Sequence, residues 1–235
     1  MKPYSPYPER KAGEAPSTMV GKIQQFHSIP FHSPQANFTT QTRRKLTSSW
    51  LSRDHMLNIV TVSGNKYIVD VGFGSSGPTH PLPLKEKQIL TNVGSQQMRL
   101  LHGPIPDFTQ SSQHLWQYEH RNGTDQPWVP SYAFSEMEFT PSDFEMMNYF
   151  TSSHRTSWFT YFVVCVKMVM EDGEIVGDVT LFGSEVKRRI RGKSELLCLC
   201  SSEEERVKAL DELLGVKLSL AEVSGIRGMP TELAN

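Results

Sequence analysis

With 235 residues, 37% hydrophobic and 21% charged, the chain can bury a substantial core in one compound domain or two, and its net charge of -1 supplies no bulk attraction to nucleic acid or an anionic membrane. Apolar runs such as Phe159 to Met170 are shorter than a bilayer span and broken by Lys167, and Met1 to Ser17 carries prolines and charges instead of a signal-peptide core. Three cysteines, an odd and small number, fit a reducing, cytoplasmic compartment without a disulfide framework.

Taken in chain order, Ser17 to Phe26 reads as a short, weakly amphipathic helix ended by Pro30, and the Ser, Gln and Thr-rich stretch from Ser33 to Ser49 reads as a junction. Two β-branched runs follow, Met56 to Val62 and Lys66 to Val71, separated by Ser63, Gly64 and Asn65, which is the pattern of a β-hairpin. A two-residue Ser63-Gly64 loop sets Val62 opposite Asn65, Leu57 opposite Asp70 and His55 opposite Gly72. His55 and Asp70 then point to one face as diagonal neighbours, with Cβ atoms roughly 7 Å apart. A carboxylate at that distance can fix an imidazole tautomer and stabilise the imidazolium, so the pair has the form of two thirds of a nucleophilic triad. A structural Asp–His hydrogen bond satisfies the same spacing.

Gly72-Phe73-Gly74-Ser75-Ser76-Gly77 follows, where glycines let backbone N–H groups approach a pantetheine or pyrophosphate, or simply make a flexible loop. From about Trp50 to Phe139, short segments broken by Gly and Pro predict antiparallel strands closing into a barrel, with Trp116, Tyr118 and His120 on one core-facing side of a strand. Thr140 caps a helix that starts with Pro141 and runs through Asn148. Strands are expected around Tyr161 to Met170 and Glu174 to Phe182. Ser202 with Glu205 reads as a capping box for a helix ending at Gly215, with a buried stripe of Val207, Leu210, Leu213 and Leu214. Lys187, Arg188, Arg189, Arg191 and Lys193 form a basic cluster, either a phosphate contact or a solvated strand face.

The three cysteines offer no evident nucleophile. Cys165 falls in an apolar strand, where a thiol is ordinarily buried, and Cys198 and Cys200 are read as alternating faces of a strand, in a C-x-C that is poor metal-ligand spacing.

The segment DHMLNIVTVSGNKYIVDVGFGSSGPTHPLPL (Asp54 to Leu84) resembles the arylamine N-acetyltransferases, chiefly their filamentous fungal members. PWVPSYAFSEMEFTPSDFEMMNYFTSSHRTSWFT (Pro127 to Thr160) and the tail from TLFGSEVKRRIRGKSE through SEEERVKALDELLGV are also similar. The resemblance implies an α+β chain with a papain-like or transglutaminase-like core. Its parts would be a truncated N-terminal helical region over 1–49, an antiparallel β-barrel over 50–142 and a C-terminal α/β lid over 143–235. It implies acyl transfer by a Cys-His-Asp ping-pong route from acetyl-CoA, with malonyl-CoA as the other donor, to an aromatic amine or hydrazine, without a metal. Carried over by position, His55 is the general base and Asp70 its orienting acid. Phe73 and Ser75 face the acceptor, and Gly72, Gly74, Thr156 and Ser157 lie on the coenzyme side. The family's nucleophile sits in an Arg-Gly-Gly-x-Cys segment on a helix, and no such segment occurs in this sequence, where FHSIPFHS (Phe26 to Ser33) is followed by TRRKLTSSW. The chain as written therefore reads as inactive in this chemistry, the alternative being a pseudoenzyme that binds a ligand or a protein.

Overall fold

Buried residues two apart in sequence build the first sheet: Leu57 and Ile59, Met98 and Leu100, Tyr132 and Phe134 are each at most 1% exposed and share one core with Ile68, Leu82 and Tyr118. Alternate side chains of a strand face one side, so these pairs set which face of each strand turns inward. The computed structural model describes residues 23–30, 55–106 and 108–233. Within these, the first sheet comprises β1 (Ile23–Pro30), β2 (His55–Val62), β3 (Asn65–Val69), β4 (Leu82–Pro83), β5 (Leu90–Thr91), β6 (Gln97–Pro104), β7 (His114–Arg121) and β8 (Val129–Phe134). Their spatial order is β4-β3-β2-β1-β8-β7-β6-β5, with every neighbouring pair antiparallel.

The expected hairpin is present in the expected register. Ser63 and Gly64 both take positive φ, 49° and 79°, which gives the loop the twist that flanking strands require. Val62 pairs with Asn65 and Asn58 with Val69, so Leu57 and Asp70 come opposite one step beyond the last ladder pair.

Two expectations are corrected. The segment Ile23–Phe26 is strand, not helix: it lies between β2 and β8, with Phe26 opposite Leu57 and Ser28 opposite both His55 and Phe134. Cross-strand hydrogen bonding outweighs a weak helical pattern there. The rest of the expected helix and the Ser33 to Ser49 junction lie outside the described residues. The sheet also does not close into a barrel by strand pairing. Its edge strands β4 and β5 are two residues each and do not pair; the connector between them instead makes one parallel bridge, Glu86 to Leu100, with Lys87 N–H donating to the Leu100 carbonyl at 2.8 Å.

After the first sheet, α1 (Pro141–Ser153) starts at Thr140, whose side chain accepts from Asp143 N–H while Asp143 reaches back to the Thr140 N–H. It runs five residues past Asn148. The second sheet is an antiparallel meander of β9 (Val164–Glu171), β10 (Glu174–Phe182), β11 (Glu185–Ile190) and β12 (Lys193–Leu199). A helix α2 (Glu203–Ala209) continues into a π-helical turn over Leu210–Leu214 and stops at Gly215, in the left-handed region at φ 77°. Ser202 caps it, but Glu205 bonds Ser201 rather than completing the box on Ser202. Leu210 and Leu214 are buried as expected and pack with Val179, Leu181 and Val186. Arg206, on the same stripe, is 1% exposed, which the apolar pattern did not show. A last short helix, α3 (Leu220–Ser224), begins at Ser219.

Candidate active site

Asp70 leaves β3 just past the hairpin ladder, and His55 opens β2 across from it. His55 Nε2 stands 2.8 Å from both Asp70 carboxylate oxygens. The Asp70 side chain is fully buried and that of His55 is 15% exposed, so the carboxylate lies beneath the ring. Gly72 N–H donates to Asp70 Oδ1 at 3.1 Å, which fixes the carboxylate plane. With Asp70 accepting from Nε2–H, the lone pair of the neutral imidazole belongs to Nδ1.

Rings wall this pair. Phe73 meets His55 edge-on with centroids 5.4 Å apart, Tyr132 lies 5.7 Å from His55 and 4.8 Å from Phe73, and Tyr118 stacks on Tyr132 at 4.9 Å. The Tyr132 hydroxyl is buried beside Asp70 without a hydrogen bond of ordinary length and angle. Burial first, then the Asp70 charge, holds its pKa well above the usual phenol value, and the same two causes raise Tyr118. Tyr118 donates its hydroxyl to the Ser76 carbonyl at 2.9 Å. Tyr132 was not anticipated as part of the site; its inward position was legible only from the alternation of Tyr132 with Phe134.

The Gly72–Gly77 loop is folded on itself. Gly74 sits at φ 90°, Gly77 N–H donates to the Gly74 carbonyl at 3.0 Å, and a Cβ on Gly77 would stand 2.8 Å from that of Phe73. Two of its amides are thereby engaged within the loop and by Asp70. Phe73 is placed against His55, while Ser75 presents its carbonyl to Arg189 Nη2 at 2.8 Å.

Thr156 and Ser157 sit in the turn after α1. The Ser157 hydroxyl donates to the Thr151 carbonyl at 2.6 Å and Thr156 Oγ1 is 2.8 Å from His154 Nδ1, so both hydroxyls close the end of that helix.

The basic cluster runs from β11 through the turn after it to the start of β12, and four of its five cations stand in ion pairs that the structure gives. Lys187 pairs with Glu185, Arg188 with Glu195, Arg189 with Asp178 and Arg191 with Glu171. Its solvated-face reading fits better than a phosphate cradle.

Cys165, Cys198 and Cys200 pack in the second core with Val179, Leu181 and Leu210, whereas His55 stands on the first sheet. Cys198 and Cys200 share a face rather than alternating, because side chains two apart on an extended chain return to one side. Burial raises the Cys165 thiol, and burial with the neighbouring Cys198 pushes Cys200 up to about 11, opposite to what a nucleophile needs. Among the described residues no group of three or more His, Cys, Asp and Glu side chains is arranged to hold a metal ion.

Close to the site, His120 is buried with Nδ1 2.7 Å from Ser131 Oγ. Burial, then the charge of Arg189, lowers its pKa to about 4. A folded-state value below the unfolded one means the unfolded chain binds the extra proton. The stabilisation is therefore present above the unfolded pKa of 6.5 and is lost progressively as pH falls toward 4. We expect about 2 kcal/mol to disappear between pH 7 and pH 5 through this group. His120→Gln should flatten the pH dependence of the urea midpoint over that interval; parallel curves for the variant and the parent would refute the assignment.

The model of the N-acetyltransferase family matches residues 34–223. N-malonyltransferase FDB2 of Fusarium pseudograminearum (strain CS3096) is 37% identical over 184 residues, covering 74% of this chain and 53% of that protein. N-malonyltransferase FDB2 of Gibberella moniliformis is 30% identical over 195 residues, covering 79% of this chain and 56% of that protein. The chain thus spans about half the length of the curated relatives it matches. Among solved structures, the arylamine N-acetyltransferase of Mycobacterium abscessus superposes with a TM-score of 0.66 at 18% identity, over 87% of this chain and 64% of that one. The enzyme of Salmonella typhimurium gives 0.64 at 19%, over 88% and 68%. That of Mycobacterium marinum in complex with CoA gives 0.61 at 21%, over 83% and 63%. At those identities the superpositions speak for the fold.

Proposed function

Because the chain belongs to the arylamine N-acetyltransferase family, we propose that its site serves acyl transfer from a coenzyme A thioester to a small aromatic amine. The observation that carries this reading is the His55–Asp70 pair, its contacts at 2.8 Å, walled by Phe73 and Tyr132. With a cysteine presented to Nδ1, His55 takes the thiol proton, and the thiolate attacks the thioester carbonyl. The imidazolium returns the proton to the departing coenzyme A thiolate, leaving an acyl-cysteine. The amine then attacks that acyl group, losing a proton through His55 as the cysteine thiolate leaves. Asp70 holds the tautomer throughout and stabilises the imidazolium. Phe73 and Ser75 face the amine, and Gly72, Gly74, Thr156 and Ser157 lie toward the coenzyme.

Both donors stay in this proposal, malonyl-CoA because the FDB2 relatives are named N-malonyltransferases and acetyl-CoA from the family's own chemistry. No Arg-Gly-Gly-x-Cys occurs in the 235 residues, and that favours a second reading in which this sequence binds ligand or a protein partner without forming an acyl-enzyme.

One experiment separates the two. The chain, and a version with an Arg-Gly-Gly-x-Cys segment inserted between Pro30 and His55, are incubated with acetyl-CoA or malonyl-CoA and an aniline, and free coenzyme A is titrated. We expect release only from the inserted version, abolished by His55→Gln. An acyl adduct on Cys165, Cys198 or Cys200 of the unaltered chain would overturn the second reading, and silence of the inserted version with both donors would overturn the first.

A further inference from the structure

Side chains from both sheets hold the backbone of the loop that sets Phe73 against His55. Asp70 accepts from Gly72 N–H at 3.1 Å and Tyr118 donates to the Ser76 carbonyl at 2.9 Å, both from the first sheet. Asn92 Nδ2 also donates to the Gly77 carbonyl at 2.8 Å, and the tie from the second sheet is made by Arg189 on β11, which donates from Nη2 to the Ser75 carbonyl at 2.8 Å, across 114 residues of sequence.

That guanidinium is seated by its surroundings. Asp178, directly opposite on β10 with its side chain 6% exposed, accepts from Arg189 Nε at 3.0 Å and lies 2.8 Å from Nη2. Thr180 donates to the other Asp178 oxygen at 2.8 Å. Beside Asp178, a Cβ on Gly177 would stand 1.8 Å from the Arg189 carbonyl oxygen, so the close approach of β10 to β11 at this point requires glycine. A planar fork held by a buried carboxylate can present one N–H to a fixed external acceptor, which a flexible ammonium cannot do while serving the same carboxylate.

We infer that Arg189 is a positioning residue for the amine-acceptor side of the site, acting through the Ser75 carbonyl to keep the Phe73 ring against His55. What Phe73 faces rests on the acyl-transfer reading; the tie itself does not. The second sheet then helps set acceptor affinity by fixing the backbone between Phe73 and Gly77.

The test compares Arg189→Met and Arg189→Lys in the full chain by NMR of the His55 ring protons, which lie beside the Phe73 ring, and by titration with aniline. Lysine keeps the charge facing Asp178, so a role confined to stability predicts that it restores both the melting temperature and the parental His55 signal. A positioning role predicts that lysine restores the melting temperature while the His55 resonance stays displaced and the aniline Kd stays raised about tenfold. Should the methionine variant fail to fold, the lysine variant decides alone. A parental His55 resonance in folded Arg189→Lys overturns the inference. A parent chain that binds no aniline counts against the acceptor-side placement of Phe73, not against the tie, which the His55 resonance still tests.

Discussion

Asp70→Asn is expected to lower acyl transfer by about 10³- to 10⁴-fold in the version carrying the inserted cysteine segment, with little loss of stability. The reason lies in the local hydrogen bonds. Gly72 N–H already holds Oδ1, so the amide of asparagine is directed to the other position, where its hydrogens meet the His55 Nε2–H. The ring must then surrender that proton and carry it on Nδ1, or break its contact with residue 70. In the first case Nδ1 loses the lone pair that would accept the thiol proton, in the second the ring loses its fixed orientation, and in both the imidazolium loses its counter-charge. Folding responds differently, because a fully buried carboxylate with two phenols beside it is costly to desolvate and a neutral amide is not. We therefore expect a urea midpoint within about 1 kcal/mol of the parent, the large kinetic loss occurring in a folded protein. Initial rates of coenzyme A release at saturating donor measure the effect; a rate within tenfold of the parent would show that Asp70 orients nothing of consequence.

What the sequence made legible was local. The hairpin could be read because Ser63-Gly64 sits between two β-branched runs, and a period of two then carried His55 and Asp70 to one face without knowledge of the rest of the fold. The strand Ile23–Pro30 was not legible, since its partners β2 and β8 lie about 30 and 100 residues away and nothing in IQQFHSIP announces them. Barrel closure was over-read because regular turn spacing counts strands without showing that the edge strands are two residues long. Arg189 looked like one cation in a run of five; its meaning depends on Asp178 and the Ser75 carbonyl, both set by tertiary structure. Arg206 was hidden for a related reason: in EEERVK it reads as part of a solvated helix face, although its position lies on the buried stripe.

Arg206 also supports the second large expectation, that Glu203→Ala destabilises the chain by about 3–5 kcal/mol. The Arg206 side chain is 2% exposed and that of Glu203 15%, and the two form an ion pair one turn apart on α2. The guanidinium further donates to the Gly183 carbonyl at 3.3 Å and the Thr231 carbonyl at 2.9 Å, and Glu203 Oε1 accepts from Leu233 N–H at 2.8 Å. The pair thus ties α2 to the β10–β11 turn and to the C-terminal segment. Removing the carboxylate leaves a buried cation whose carbonyl partners cannot replace a full negative charge, and it frees the Leu233 amide. Removing both charges is another matter: Arg206→Met with Glu203→Leu exchanges the ion pair for apolar contact with the core around Leu210 and Leu214, and should cost at most about 1–2 kcal/mol. Urea unfolding of Arg206→Met, of Glu203→Leu and of the double variant gives the coupling energy, and a double variant as unstable as Glu203→Ala would mean that the carbonyl contacts, not the charge, hold this corner. The consequence reaches the site, because the turn at Gly183 joins the two strands that carry Asp178 and Arg189. Loosening it in Glu203→Ala should displace the His55 ring-proton resonance as Arg189→Lys does, although Glu203 contacts neither His55 nor the loop beside it.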